Sequence, residues 1–212
     1  MNQHEKLIEN LSRDLAPVAP APNVNRLGLV WLLSSAIFVA TIIQLVDPVR
    51  PGAYRQLAAE PRFLLETLLG LAAIAWVGLL AFRSAVPGEL TRKFAVAGFV
   101  LMALWLAQYL LGLVSPALEP SELGKRSFCY IETMVYAVPP ILAAVFFARR
   151  LYPLHYMRTA MSLALAAGMI PALYMQIGCM YVPTHILRFH ILPGLAMVLA
   201  GAAVAAVWRL PR

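Results

Sequence analysis

The stretch LGLVWLLSSAIFVATIIQLV, residues 27–46, decides the fold. It runs twenty residues without a charge, the length an α-helix needs to cross the roughly 30 Å hydrocarbon core of a bilayer. Five further stretches repeat the pattern: Phe63–Phe82, Phe94–Val114, Phe128–Phe147, Thr159–Ile177 and Phe189–Trp208. Composition agrees, with 61% hydrophobic and only 13% charged residues, about half the charge density of a soluble domain. The chain therefore reads as all-α, a bundle of six transmembrane helices. Residues 26–212 form one membrane domain and residues 1–25 a short polar segment before it.

No cleaved leader is expected. Glu5, Glu9 and Asp14 precede the first apolar run, and that run is long enough to span rather than be removed. The net charge of +7 is spread over helix ends, where it meets lipid headgroups and sets orientation, so no direct nucleic-acid contact is expected. With the N-terminus placed in the cytoplasm, 11 Lys and Arg fall on that side and 6 on the other, which favours both termini inside. Pro and Gly punctuate short connections at Asp47-Pro48, Pro51-Gly52, Pro87-Gly88, Pro116, Pro120, Pro153 and Pro183. Short connections make three antiparallel helical hairpins.

Sorting polar residues by depth singles out one rim. Glu66 opens the second helix, Cys129 and Glu132 the fourth, and Cys179 closes the fifth. His185 precedes the sixth helix and His190 begins it. Acidic groups inside an apolar span cost free energy and call for a partner, either a functional one or a nearby cation such as Arg62, Lys125 or Arg126. The two cysteines have three readings. They form a disulfide suited to an oxidising compartment. Or they grip a soft metal ion, with His185, His190 or Glu132 completing the shell. Or they are unrelated buried thiols acting as small hydrophobes. Pro139-Pro140, Pro171 and Pro193 interrupt the helices that carry these groups and are candidate bends.

Residues 3–15 form an amphipathic segment, with Leu7, Ile8, Leu11 and Leu15 on one stripe and Glu5, Lys6, Glu9, Asn10, Arg13 and Asp14 opposite. The Pro-rich run from Ala16 to Pro22 breaks it and spaces it from the membrane. Such a tethered stripe suits docking in a groove of a partner protein. Its mixed charge argues against a lipid surface.

These features together resemble the NrsF-type negative regulators of extracytoplasmic-function sigma factors. The resemblance is carried by residues 7–18, by Phe63-Leu64-Leu65-Glu66, by Ala85-Val86-Pro87-Gly88 and by Cys129-x-x-Glu132 followed by Pro140, Arg149-Arg150 and Pro153. Cys179 and the pair Phe189-His190 complete it. Two positions depart from the pattern: Phe189 stands in place of a Trp, and Ile177-Gly178 in place of Leu-His, so no histidine ligand precedes Cys179. The resemblance implies a bacterial inner-membrane anti-sigma factor, not an enzyme. Its cytoplasmic tail would hold a sigma factor through Leu7, Ile8, Leu11 and Leu15. Cys129 and Cys179 would respond to a periplasmic metal or oxidative signal, with no resident cofactor beyond a transient heavy-metal ion at the two thiols. Two other functions compete. A membrane thiol oxidoreductase usually needs a CxxC pair and a shuttle pair, which two cysteines fifty residues apart do not supply. A transporter with an acidic site at Glu66 and Glu132 would place that site near the midplane rather than a rim.

Overall fold

A computed structural model of the chain describes residues 2–13, 22–151 and 153–208. The elements are α1 (Gln3–Arg13), α2 (Val24–Val46), α3 (Ala53–Ala59), α4 (Pro61–Ser84), α5 (Arg92–Val114), α6 (Cys129–Arg149), α7 (Tyr156–Gly178), α8 (Pro183–Ile186), a π-helical turn (Leu187–Ile191) and α9 (Leu192–Trp208). Six of the helices, counting α8 through α9 as one, are long and apolar enough to cross a membrane. The apolar runs fixed their centres. Their ends lie farther out, because the helices continue through Arg83, Arg92, Lys93 and Arg149 to local stop and start signals. The Asn23 side chain accepts from the Arg26 N–H at the head of α2, and Thr91 Oγ1 accepts from the Phe94 N–H at the head of α5. Pro61 opens α4, where a missing N–H costs nothing.

α7 is the axis of the bundle. Buried residues make up 78% of its most apolar window, against 22–44% for the other five. It packs against α2, α4, α6 and α9. Its small residues, among them Ala160, Ala164, Ala167, Gly168 and Ala172, let those neighbours come close. That is how helices associate where hydrocarbon removes the hydrophobic drive. The contact with α9 is tightest: a Cβ on Gly168 would strike the Gly194 carbonyl and Met197, and one on Gly201 would strike the Ala160 carbonyl. Consecutive helices pair as α2 with α4, α4 with α5, α6 with α7 and α7 with α9, while α5 also reaches α8 and α6 also lies against α2 and α9. A hydrogen bond of 2.9 Å from Trp31 Nε1 to the Pro140 carbonyl ties α2 to α6 at its paired prolines.

Two elements were invisible to the apolar count. The first connection folds into α3, and the last span opens with a π-helical turn. Pro193 supplies a reason for the second: it lacks the N–H that would bond back to the Phe189 carbonyl, and the Leu192 N–H bonds to Leu187 instead. The helix of the polar segment ends at Arg13. Leu15 and the Pro-rich spacer lie outside the described residues, apart from Pro22.

Replacing Gly168 by Val should overpack the α7–α9 contact by about 1–3 kcal/mol, lowering the thermal midpoint of the detergent-solubilised protein by on the order of 5 °C. Gly112→Ala, where an added methyl meets nothing within 4 Å, should leave the midpoint unchanged or slightly higher.

Candidate functional site

The loops at one end of the bundle are laced together. Arg50 in the α2–α3 connection donates from its backbone N–H to the Gly178 carbonyl and from Nε to the Ile177 carbonyl, fixing the end of α7. Gly124, at φ +81°, packs where any side chain would run into Arg50. The Ser121 N–H donates to the Tyr181 carbonyl, and the Ala117 N–H to the Tyr181 hydroxyl, so the connection before α6 is pinned to the one after α7. Burial raises the Tyr181 hydroxyl above its ordinary pKa.

Arg126 holds the beginning of α6. Its side chain is 1% exposed, yet it forms ion pairs with Glu132 at 3.1 Å and Asp47 at 3.5 Å. It also donates to the backbone carbonyls of Asp47 and Pro48. Its own carbonyl accepts from the Cys129 thiol at 3.4 Å.

Between these two arginine-braced helix ends lie the cysteines. Both are buried free thiols, and their sulfurs are 3.2 Å apart. Cys179 caps α7 in extended conformation, which turns its side chain back toward the first residue of α6. His185 Nε2 lies 3.6 Å from Cys179 Sγ. The His185 and His190 rings meet edge to face with centroids 5.1 Å apart. His190 is fully buried, and neither of its ring nitrogens has a hydrogen-bond partner among the described residues. The hydrogen bond with Cys129, and after it the two imidazoles, pull Cys179 below the ordinary thiol pKa against the opposing effect of burial. Arg50 faces the same thiol; burial lowers its pKa, and Cys179 and Tyr181 partly offset this.

Of the residues singled out in the sequence, the structure brings Cys129, Cys179, His185 and His190 to one point. Glu132 sits beside them but is committed to Arg126. Glu66 stands apart: it pairs with Arg62 at 3.1 Å, and Arg62 in turn donates to Ser115. Both acids are thus neutralised locally, as the interfacial reading expects. The space beside Glu66, lined by Gln108, Tyr109, Gln176 and Tyr181, has a volume of about 10 Å³, room for no more than one water. Nothing of a substrate's size fits there. Arg126 reads in the sequence as a partner for the rim acids, and it does pair with Glu132. Arg50 was missed as a positioning residue; its only signal was a place between Pro48 and Pro51, where an arginine reads as an interfacial anchor. At the N-terminal end, Leu7, Ile8 and Leu11 are 55–66% exposed, so α1 presents its apolar stripe uncovered by any of the described residues.

A family model described as NrsF, negative regulator of sigma F, matches residues 11–209. No curated protein and no solved structure matches the chain.

The two ion pairs should differ in weight. Arg126→Met leaves Glu132, 16% exposed, and the Asp47 carboxylate without their shared cation, so it should cost about 3–5 kcal/mol. Arg62→Met leaves Glu66, 12% exposed, without its partner, but Arg62 holds one acid where Arg126 holds two, so it should cost less, about 1–3 kcal/mol. Thermal unfolding in detergent checks the order.

Proposed function

Because the chain belongs to the NrsF family of negative regulators of sigma F, we propose that it is a multi-pass inner-membrane anti-sigma factor of the extracytoplasmic-function type, with both termini in the cytoplasm. One observation carries the reading: α1 holds an exposed apolar stripe of Leu7, Ile8 and Leu11 at one end of the chain, while a buried thiol pair sits at a laced rim of the bundle. A helix of eleven residues is too short to persist alone in water and gains stability when the stripe is covered. A groove on a cytoplasmic sigma factor is the partner the family supplies, and Leu15 extends the same stripe in sequence. The excess of Lys and Arg on the side of the termini supports the orientation. It puts the thiol rim in the periplasm, where a metal or an oxidant reaches it first.

The signal enters where Cys129 and Cys179 join α6 to α7. Any bond formed between those sulfurs, or across them, restrains the start of one helix against the end of the axial one. α7 contacts α2, the span that follows the tail, so a shift of the axis is felt where α1 is tethered. Release then means that the sigma-bound form of the bundle is the one with unmodified thiols.

Two experiments test this reading. Leu7→Asp with Leu11→Asp should weaken sigma-factor capture by at least about 100-fold, since two buried leucines each contribute about 1.5–3 kcal/mol. Unchanged capture would remove the tail from the mechanism. Cys129→Ser with Cys179→Ser should keep capture intact and abolish release by cadmium or oxidant in a reporter strain; an unaltered response would move the sensor elsewhere.

A further inference from the structure

Resting on the sensor reading above, we propose that Cys129, Cys179, His185 and His190 form one closed, four-coordinate site for a divalent cation of the zinc and cadmium class. Their four ligand atoms lie within 4.8 Å of one another. A tetrahedral zinc ion with sulfur at about 2.3 Å and nitrogen at about 2.0–2.1 Å has S···N edges of about 3.6 Å and an S···S edge of about 3.8 Å. The Cys179–His185 separation is 3.6 Å, and the thiols at 3.2 Å need part by only about half an ångström. The spacing His185-x₄-His190 falls in the range of paired zinc histidines, with the π-helical turn lying between α8 and α9 and containing His190.

Two observations point to a ligand rather than to packing. His190 is fully buried with both ring nitrogens unpartnered, and a buried polar group is costly unless something satisfies it. The charge also closes. Two thiolates and two neutral imidazoles cancel a divalent cation, while the ionic groups around them, Arg50 and Arg126 against Asp47 and Glu132, cancel one another. A monovalent soft ion would leave the buried cluster negative. Glu132 supplies no ligand because Arg126 holds its carboxylate. With four protein ligands and no open position, the site suits sensing or structure rather than catalysis. Metal and disulfide exclude each other, since ligation uses both thiolates.

Cobalt(II) added to the reduced full-length protein in nanodiscs tests the ligand set. The expected result is one equivalent bound with the visible d–d bands of a tetrahedral thiolate–imidazole site, displaced by zinc. His190→Ala and, at a half-buried position, His185→Ala should each shift those bands. Each should weaken binding by more than the roughly 10–100-fold that loss of an outer-shell partner costs. Zinc should slow disulfide formation by diamide, which takes two electrons and two protons from the thiols as it becomes its hydrazine. Diamide should still close the disulfide in both histidine variants, and zinc should protect the thiols less than in the wild type. No binding, an octahedral spectrum, or a spectrum indifferent to both histidine changes would overturn the four-ligand site. In those cases, sigma-factor release by diamide would still stand as support for the thiol sensor, so the two ideas fail separately.

Discussion

The rim depends on a buried arginine. Arg126 is almost wholly withdrawn from solvent, and a charge so placed is tolerable only if counter-charge and hydrogen-bond acceptors surround it. Glu132, Asp47 and the carbonyls of Asp47 and Pro48 do so. Removing Glu132 leaves the Arg126 guanidinium in a low-dielectric place with much of its compensation lost. The cluster therefore locks the end of α2 to the beginning of α6, and with it Cys129, whose thiol donates to the Arg126 carbonyl. Arg50 does the matching work on the end of α7 by filling the Ile177 and Gly178 carbonyls. The 3.2 Å between the sulfurs is thus set by two arginines that belong to neither cysteine helix.

The same constraint explains what was legible in the sequence. Spans are legible because a bilayer admits only long apolar segments with every backbone group bonded internally, so residues 27–46 and their five counterparts had one available fold. Depth is legible too, since a helix of known length places its first and last residues at opposite rims; Cys129 and Cys179 shared a rim on that ground alone. What depth cannot show is azimuth. Glu66 lies at the same level as the thiols but faces α5 and Tyr181, and Arg62 holds it there. Nor did hydropathy register α3 or the π-helical turn, which arise from loop closure and from a proline's missing donor. Arg50 reads as an interfacial cation, and Arg126 as a partner for a rim acid. Only the folded loops reveal them as the groups that hold the rim together.

The axial helix gives the proposed switch its mechanics. α7 is surrounded, and its contact with α9 is made by glycines that bring backbone against backbone. Interfaces of that kind shift between discrete packings rather than deform smoothly. On the proposed reading, restraining Cys179 at one end of such a helix would bias its packing as far as the face that meets α2. α1 buries none of its own residues and precedes α2 in the chain, so α2 is where the bundle would bias its occupancy.

Sided addition of metal to sealed vesicles separates this arrangement from its rivals. With the N-terminus on the outside of the vesicle and a sigma factor bound there, cadmium trapped in the lumen should release the sigma factor, and cadmium outside should not. Release only by external cadmium would place the thiol rim on the same side as the tail. Retention under both conditions would show that the rim does not control the tail.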